Sequence, residues 1–191
     1  MGTLMETWPR RHRITVDEYY RMAEVGVLAP DARVELIEGE IIDMAPIGTE
    51  HGSVVDLLNR LLTRAVGDRA IVRVQGAIRL SEMSEPEPDL ALLIPRADFY
   101  RHEQPTGFDT LLVIEVSEST LRYDREIKVP LYARHGVPEV WIVDLQNGRV
   151  IFHGSPAAGE YKSQTSTEQP GITPITSLPD VTVDLSRLLE S

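Results

Sequence analysis

The chain contains no cysteine, which excludes a disulfide scaffold, a thiolate zinc site and a cysteine nucleophile in one step. It contains no apolar run of membrane-spanning length, and its first residues, MGTLMETWPRRHR, carry no apolar signal-peptide core. MGTLME also lacks the Ser or Thr of a myristoylation signal. A reduced, cytoplasmic setting with no membrane association is therefore expected. Other signatures are absent too. The five histidines, His12, His51, His102, His135 and His153, lie far apart with no HExxH spacing, which disfavours a zinc hydrolase. No GxSxG, Walker A loop or GxGxxG occurs, so the signals of α/β-hydrolases, P-loop NTPases and dinucleotide enzymes are missing together.

Basic charge is also scarce. Nineteen Lys and Arg face 30 Asp and Glu, a net charge of −11, which argues against nonspecific binding of polyanions by clustered cations. A divalent cation on carboxylates reverses that sign locally. The small cluster Arg10, Arg11 and Arg13 belongs to an N-terminal segment, 1–14, expected to be flexible.

What is present is an ordinary globular composition, 42% hydrophobic and 26% charged over 191 residues, enough for one domain with its own core. Residues 1–191 are read as one domain with its core at about 30–155. Thr15 and Glu18 form a capping box opening a short helix that Gly26 stops. Residues 33–44, RVELIEGEIIDM, read as a hairpin around Glu38 and Gly39. From His51 to Val66 the residues Val54, Leu57, Leu58, Leu61, Leu62 and Ala65 recur at helical spacing. A strand is expected over Ala70 to Leu80 with a bend at Gly76, then another at LALLI after Pro88 and Asp89. Thr110 to Val116 is so continuously apolar that it reads as a central strand covered on both faces. A helix over 124–135, delayed or kinked by Pro130, leads to the strand EVWIVDL at 139–145. The tail reads as RVIFH after a turn at 146–148, a short strand near Val181 and a final turn at 185–189.

The unit 110–145 is βαβ and makes a parallel pair. Earlier strands, joined by loops, are antiparallel neighbours. The fold class is mixed α/β: a mixed sheet flanked by helices, with an added N-terminal helix and hairpin.

Ligands in such sheets bind beyond the carboxyl ends of parallel strands, where Glu115 lies. A carboxylate there either faces solvent or needs a cation, metal or hydrogen bond. If strand 90–94 runs antiparallel to 111–116, Asp89 meets Glu115. Two adjacent carboxylates repel unless a proton or divalent cation sits between them, and oxygen ligands suit Mg²⁺ or Mn²⁺. Read alone, Asp89 is equally a turn residue. Lys128 and Tyr132, at i and i+4, share a helix face near the same strand end. Lys128 there either stabilises developing phosphate charge or is an exposed helix lysine.

The succession VELIEGE, EHG, PDLALL, LLVIEVSEST and DREIKVPLYARHGVPEVWIVD, over about Val34 to Asp144, resembles the Uma-type family of restriction endonucleases within the PD-(D/E)xK nuclease superfamily. The resemblance implies a mixed sheet flanked by helices, Pro88-Asp89 as the PD and Glu115 as the (D/E). It implies Mg²⁺-assisted (or Mn²⁺-assisted) hydrolysis of DNA phosphodiester bonds. Ser117 stands where the superfamily pattern has lysine, and Lys128 on the next helix is the candidate replacement. Glu35 in the hairpin matches a position typical of the family and is the fourth candidate catalytic residue. His51 is either an auxiliary group or the cap of its helix, and Gln75 is a weaker candidate. Cutting both strands of a duplex favours a two-fold homodimer. A catalytically inactive binding or assembly module and a small-molecule phosphoesterase are the alternatives.

Overall fold

A computed structural model describes residues 11–190. The flexible segment expected over 1–14 falls largely outside the described residues, as does Arg10 of the arginine cluster.

Thr15 caps α1 (Val16–Glu24) by accepting the Glu18 amide while the Glu18 carboxylate accepts the Thr15 amide, the reciprocal pair that the spacing requires. The hairpin follows as β1 (Val34–Ile37) and β2 (Glu40–Asp43), joined by Glu38 and Gly39. Both turn residues have positive φ, 49° and 76°, as a primed two-residue turn demands. The long amphipathic helix is α2 (Thr49–Val66), with Val54, Val55, Leu58, Leu62 and Val66 buried on one face.

Six strands form the main sheet: β3 (Ile71–Val74), β4 (Leu90–Leu93), β5 (Thr110–Ser117), β6 (Glu139–Asp144), β7 (Arg149–Ala157) and β8 (Glu160–Thr167), in that spatial order. Only β5 and β6 are parallel; every other neighbouring pair is antiparallel. The β5–β6 crossover contains α3 (Leu121–Tyr123), a five-residue π-helical stretch Asp124–Lys128 and α4 (Val129–Arg134). A separate hairpin of β9 (Ile172–Ile175) and β10 (Leu178–Asp184) ends the chain's regular structure.

Side chains alternate across β4, β5 and β6, so the sheet has two apolar layers. Leu90, Leu92, Leu112, Ile114 and Trp141 pack towards α2 and the β9–β10 hairpin. Ala91, Leu93, Val113, Val140 and Ile142 pack towards α4, together with Val129, Leu131, Tyr132 and Ile37 of the β1–β2 hairpin. Among the described residues no helix is long and apolar enough to cross a membrane.

Three local expectations change. The strand expected over 70–80 stops at Val74, because Gln75 takes φ 44° and the facing segment contains Pro86 and Pro88, which have no N–H for a ladder. Ile78 and Arg79 donate to the Pro86 and Pro105 carbonyls instead. The crossover begins at Leu121 and not at 124, and Pro130 neither delays nor breaks it. Pro130 has no N–H for the carbonyl four residues back, and the Val129 amide reaches Asp124 O five residues back, widening the turn. Strand β8 is unanticipated: EYKSQTST is polar apart from Tyr161, which packs against the apolar layer facing α4, because an exposed sheet edge needs little apolar side chain.

Candidate active site

The site begins as the polar end of the layer that faces α4. In β4 the layer residues are Ala91 and Leu93, and the same alternation run backwards reaches Asp89. In β5 Val113 leads to Glu115, and in β1 Ile37 leads back to Glu35. Period 2 thus carries three carboxylates to one end of one apolar layer. The register sets Leu90 opposite Ile114, so Asp89 and Glu115 follow as neighbours across the strand pair. Asp89 accepts the Val116 amide at 2.8 Å, a bond that ties it to the end of β5.

Lys128 completes the arrangement from the π-helical stretch. Its Nζ lies 2.8 Å from Glu115 Oε1 and 3.3 Å from Glu35 Oε2, and all three side chains are about 5% exposed. Tyr132, one turn later, donates to the same Glu115 oxygen at 2.6 Å. The shared helix face of Lys128 and Tyr132 is therefore turned onto Glu115. Glu35 also accepts the Glu87 amide at 3.1 Å. The structure brings Glu35, Asp89, Glu115 and Lys128 into one pocket of about 530 Å³.

His51 and Gln75 flank Asp89. His51 Nε2 donates to the Asp89 carboxylate at 3.1 Å, and Gln75 Nε2 approaches it at 3.5 Å. The other ring nitrogen of His51 is buried without a partner among the described residues. The helix α2 is not capped by a His51 side-chain bond; its N-cap is Gly48. The hydrogen bond to Asp89 raises the His51 pKa against the opposing effect of burial.

Asp124 was not singled out from sequence, although it precedes Lys128 by four residues and so had a readable helical spacing. It is buried, accepts bonds from Ser117 and Thr120 at 2.7 Å each, and lines the same pocket. Ser117 thus anchors Asp124. Tyr123 also lines the pocket, with a hydroxyl that is buried and unpartnered among the described residues.

Electrostatics follow from this crowding. Burial raises the Glu115 carboxyl to about 8; Lys128 opposes that rise, and Asp124, Asp89 and Glu35 reinforce it. Burial alone would lower Lys128, but Glu115, Tyr132 and Glu35 hold it well above its ordinary value. Asp124 is raised by burial, against Lys128, Ser117 and Thr120. A site that penalises its own carboxylates in this way is stabilised by added positive charge.

The donor chemistry fits a hard divalent cation, since the groups offered are carboxylate oxygens. Among the described residues no group of three or more His, Asp or Glu side chains converges as a metal cage. Mg²⁺ commonly takes one or two carboxylates and fills its remaining positions with water and phosphate oxygens, which Asp89 and Glu115 suit.

The family model of Uma2, whose description reads "putative restriction endonuclease", matches residues 16–186. The chain is similar to a crystal structure described as a putative nuclease belonging to DUF820 from Anabaena variabilis. That likeness has 17% identity and a TM-score of 0.70, covering 92% of this chain and 97% of the other. At this identity it bears on the fold alone. No curated protein matches the chain.

Proposed function

The chain belongs to the Uma2 family of restriction-endonuclease-like proteins, and from that premise we propose that it is a Mg²⁺- or Mn²⁺-dependent DNA endonuclease with a relocated lysine. The observation that carries the reading is the buried grouping of Glu35, Glu115 and Lys128 beside Asp89 in one pocket. Asp89 and Glu115 would hold the cation. When bound, it neutralises charge on the scissile phosphate and lowers the pKa of water for in-line attack.

The chain's own residues supply the rest. The Val116 amide and His51 orient Asp89, so its carboxylate is presented without rotamer search. Tyr132 and Lys128 both engage Glu115 Oε1, fixing that carboxyl in one orientation. Lys128 places a permanent cation beside Glu115, where its field acts on phosphate charge as it develops. Glu35 balances Lys128 and holds it at the pocket.

Plasmid and oligonucleotide cleavage with Mg²⁺ or Mn²⁺ tests the proposal. Asp89→Ala, Glu115→Ala and Lys128→Ala are each expected to lower kcat/KM by roughly 10²–10³-fold. Cleavage that persists in all three variants would remove the site assignment. A non-catalytic binding module is the second reading, favoured by the closed pairing of Lys128 with two carboxylates. Absence of both cleavage and calorimetric Mn²⁺ binding would select it.

A further inference from the structure

The pocket at Asp89 and Glu115 has two unlike sides. One is the carboxylate end of β4 and β5; the other is an apolar wall made by Ile42, Met44, Pro46 and Ile47, the second hairpin strand and the segment after it, with Tyr123 on the crossover side. A phosphate bound at the acidic end leaves its attached nucleoside against that wall. Ile47 is 45% exposed there, an apolar side chain left uncovered at the mouth of a charged site. Tyr123 adds an aromatic side chain to the lining on the crossover side.

The pocket's charge points the same way. Seven carboxylate side chains line it against two strongly basic ones, Arg33 and Lys128, and Lys128 is already paired with Glu35 and Glu115. A duplex presents two phosphate backbones to basic side chains and a single strand only one, and besides the paired Lys128 the pocket lining offers Arg33 alone. A volume of about 530 Å³ falls within the roughly 300–1,000 Å³ of pockets that enclose a small ligand. Unstacked bases are held in such pockets by apolar and aromatic contact.

Resting on the nuclease reading above, we infer that the site takes an unpaired nucleotide, so the substrate class is single-stranded DNA or a frayed or flapped end, with the base against Ile42, Met44 and Ile47. Such a substrate uses one site at a time. The two-fold dimer expected for cutting both strands of a duplex belongs to the opposite outcome.

The test compares one fluorescent oligonucleotide as a single strand, as a blunt duplex and as a duplex with an unpaired flap, using the full chain with Mn²⁺. Single strand and flap are expected to exceed the blunt duplex by about tenfold or more in kcat/KM, the scale of one stacked base. Ile47→Ala, which removes apolar surface without adding charge, is expected to raise KM for the single strand by roughly fivefold while the melting temperature is unchanged, because Ile47 is half-exposed. Equal or faster cleavage of the blunt duplex overturns this inference and leaves the nuclease reading intact. A KM unaffected by Ile47→Ala overturns the wall as the base site. Absence of cleavage on every substrate overturns both readings.

Discussion

At Glu115, burial and the neighbouring carboxylates outweigh Lys128 and raise the carboxyl to about 8 from an ordinary value of 4.5. The folded state then binds a proton more readily than the unfolded state. This group's contribution to stability is complete below about 4.5 and is lost as pH rises through about 8. In chelator, thermal melts of wild type should lose more stability across that window than Glu115→Gln, and Mg²⁺ should reduce the difference. Lys128 makes a second residue-scale prediction. It is 5% exposed between Glu35 and Glu115, so Lys128→Ala leaves the buried Glu35 without its cationic partner. Urea unfolding is expected to show a loss of about 3–5 kcal/mol, the cost of breaking a buried pair from one side. A loss under about 1 kcal/mol would mean that water compensates the carboxylates as well as the lysine does.

At the scale of elements, the β1–β2 hairpin contributes twice: Glu35 to the acidic end and Ile42 to the apolar wall. Its shape depends on a turn with two left-handed residues. At Gly39, φ is 76° and an added Cβ would stand 2.7 Å from Arg13 Cβ. Gly39→Ala is expected to destabilise by roughly 1–2 kcal/mol from the backbone conformation alone, with further loss from the clash. Amide exchange should show the loss concentrated in residues 34–43; uniform weakening of the whole fold would contradict a local effect. The π-helical stretch is the other element that shapes the site. By reaching back five residues to Asp124, the Val129 amide accommodates Pro130, and Asp124 and Lys128 both end up buried against the sheet.

For the whole molecule, the decisive quantity is a net charge of −11. Polyanions are repelled at long range, and on the proposed nuclease function attraction would reside in the site and the cation it would hold. Oligonucleotide binding, followed by fluorescence anisotropy, should vanish in EDTA. With Ca²⁺ or Mn²⁺ present, log K against log salt should have a slope of about −2 or shallower, the signature of few phosphate contacts. A steep slope that survives EDTA would indicate a basic surface acting independently of the site.

Much of this protein was readable one segment at a time. The capping box at Thr15 and Glu18, the amphipathic stripe of α2, the turn at Glu38 and Gly39, and the buried runs of β5 and β6 are local patterns. Such patterns specify element type because backbone geometry fixes which side chains share a face. The antiparallel approach of β4 to β5 followed from loop connections, and with it the meeting of Asp89 and Glu115. Other features depended on neighbours distant in sequence. The strand after Ala70 stops early because Pro86 and Pro88 face it, and the polar β8 forms because β7 supplies its ladder. The burial of Lys128 and Asp124 requires a widened turn, and Ser117 becomes an anchor only once Asp124 is folded against it. Sequence therefore determined the elements and their polarity, through interactions spanning a few residues. Tertiary structure decided which charges are buried together, and how strongly they perturb each other, because desolvation and Coulomb energy depend on distances that only packing sets.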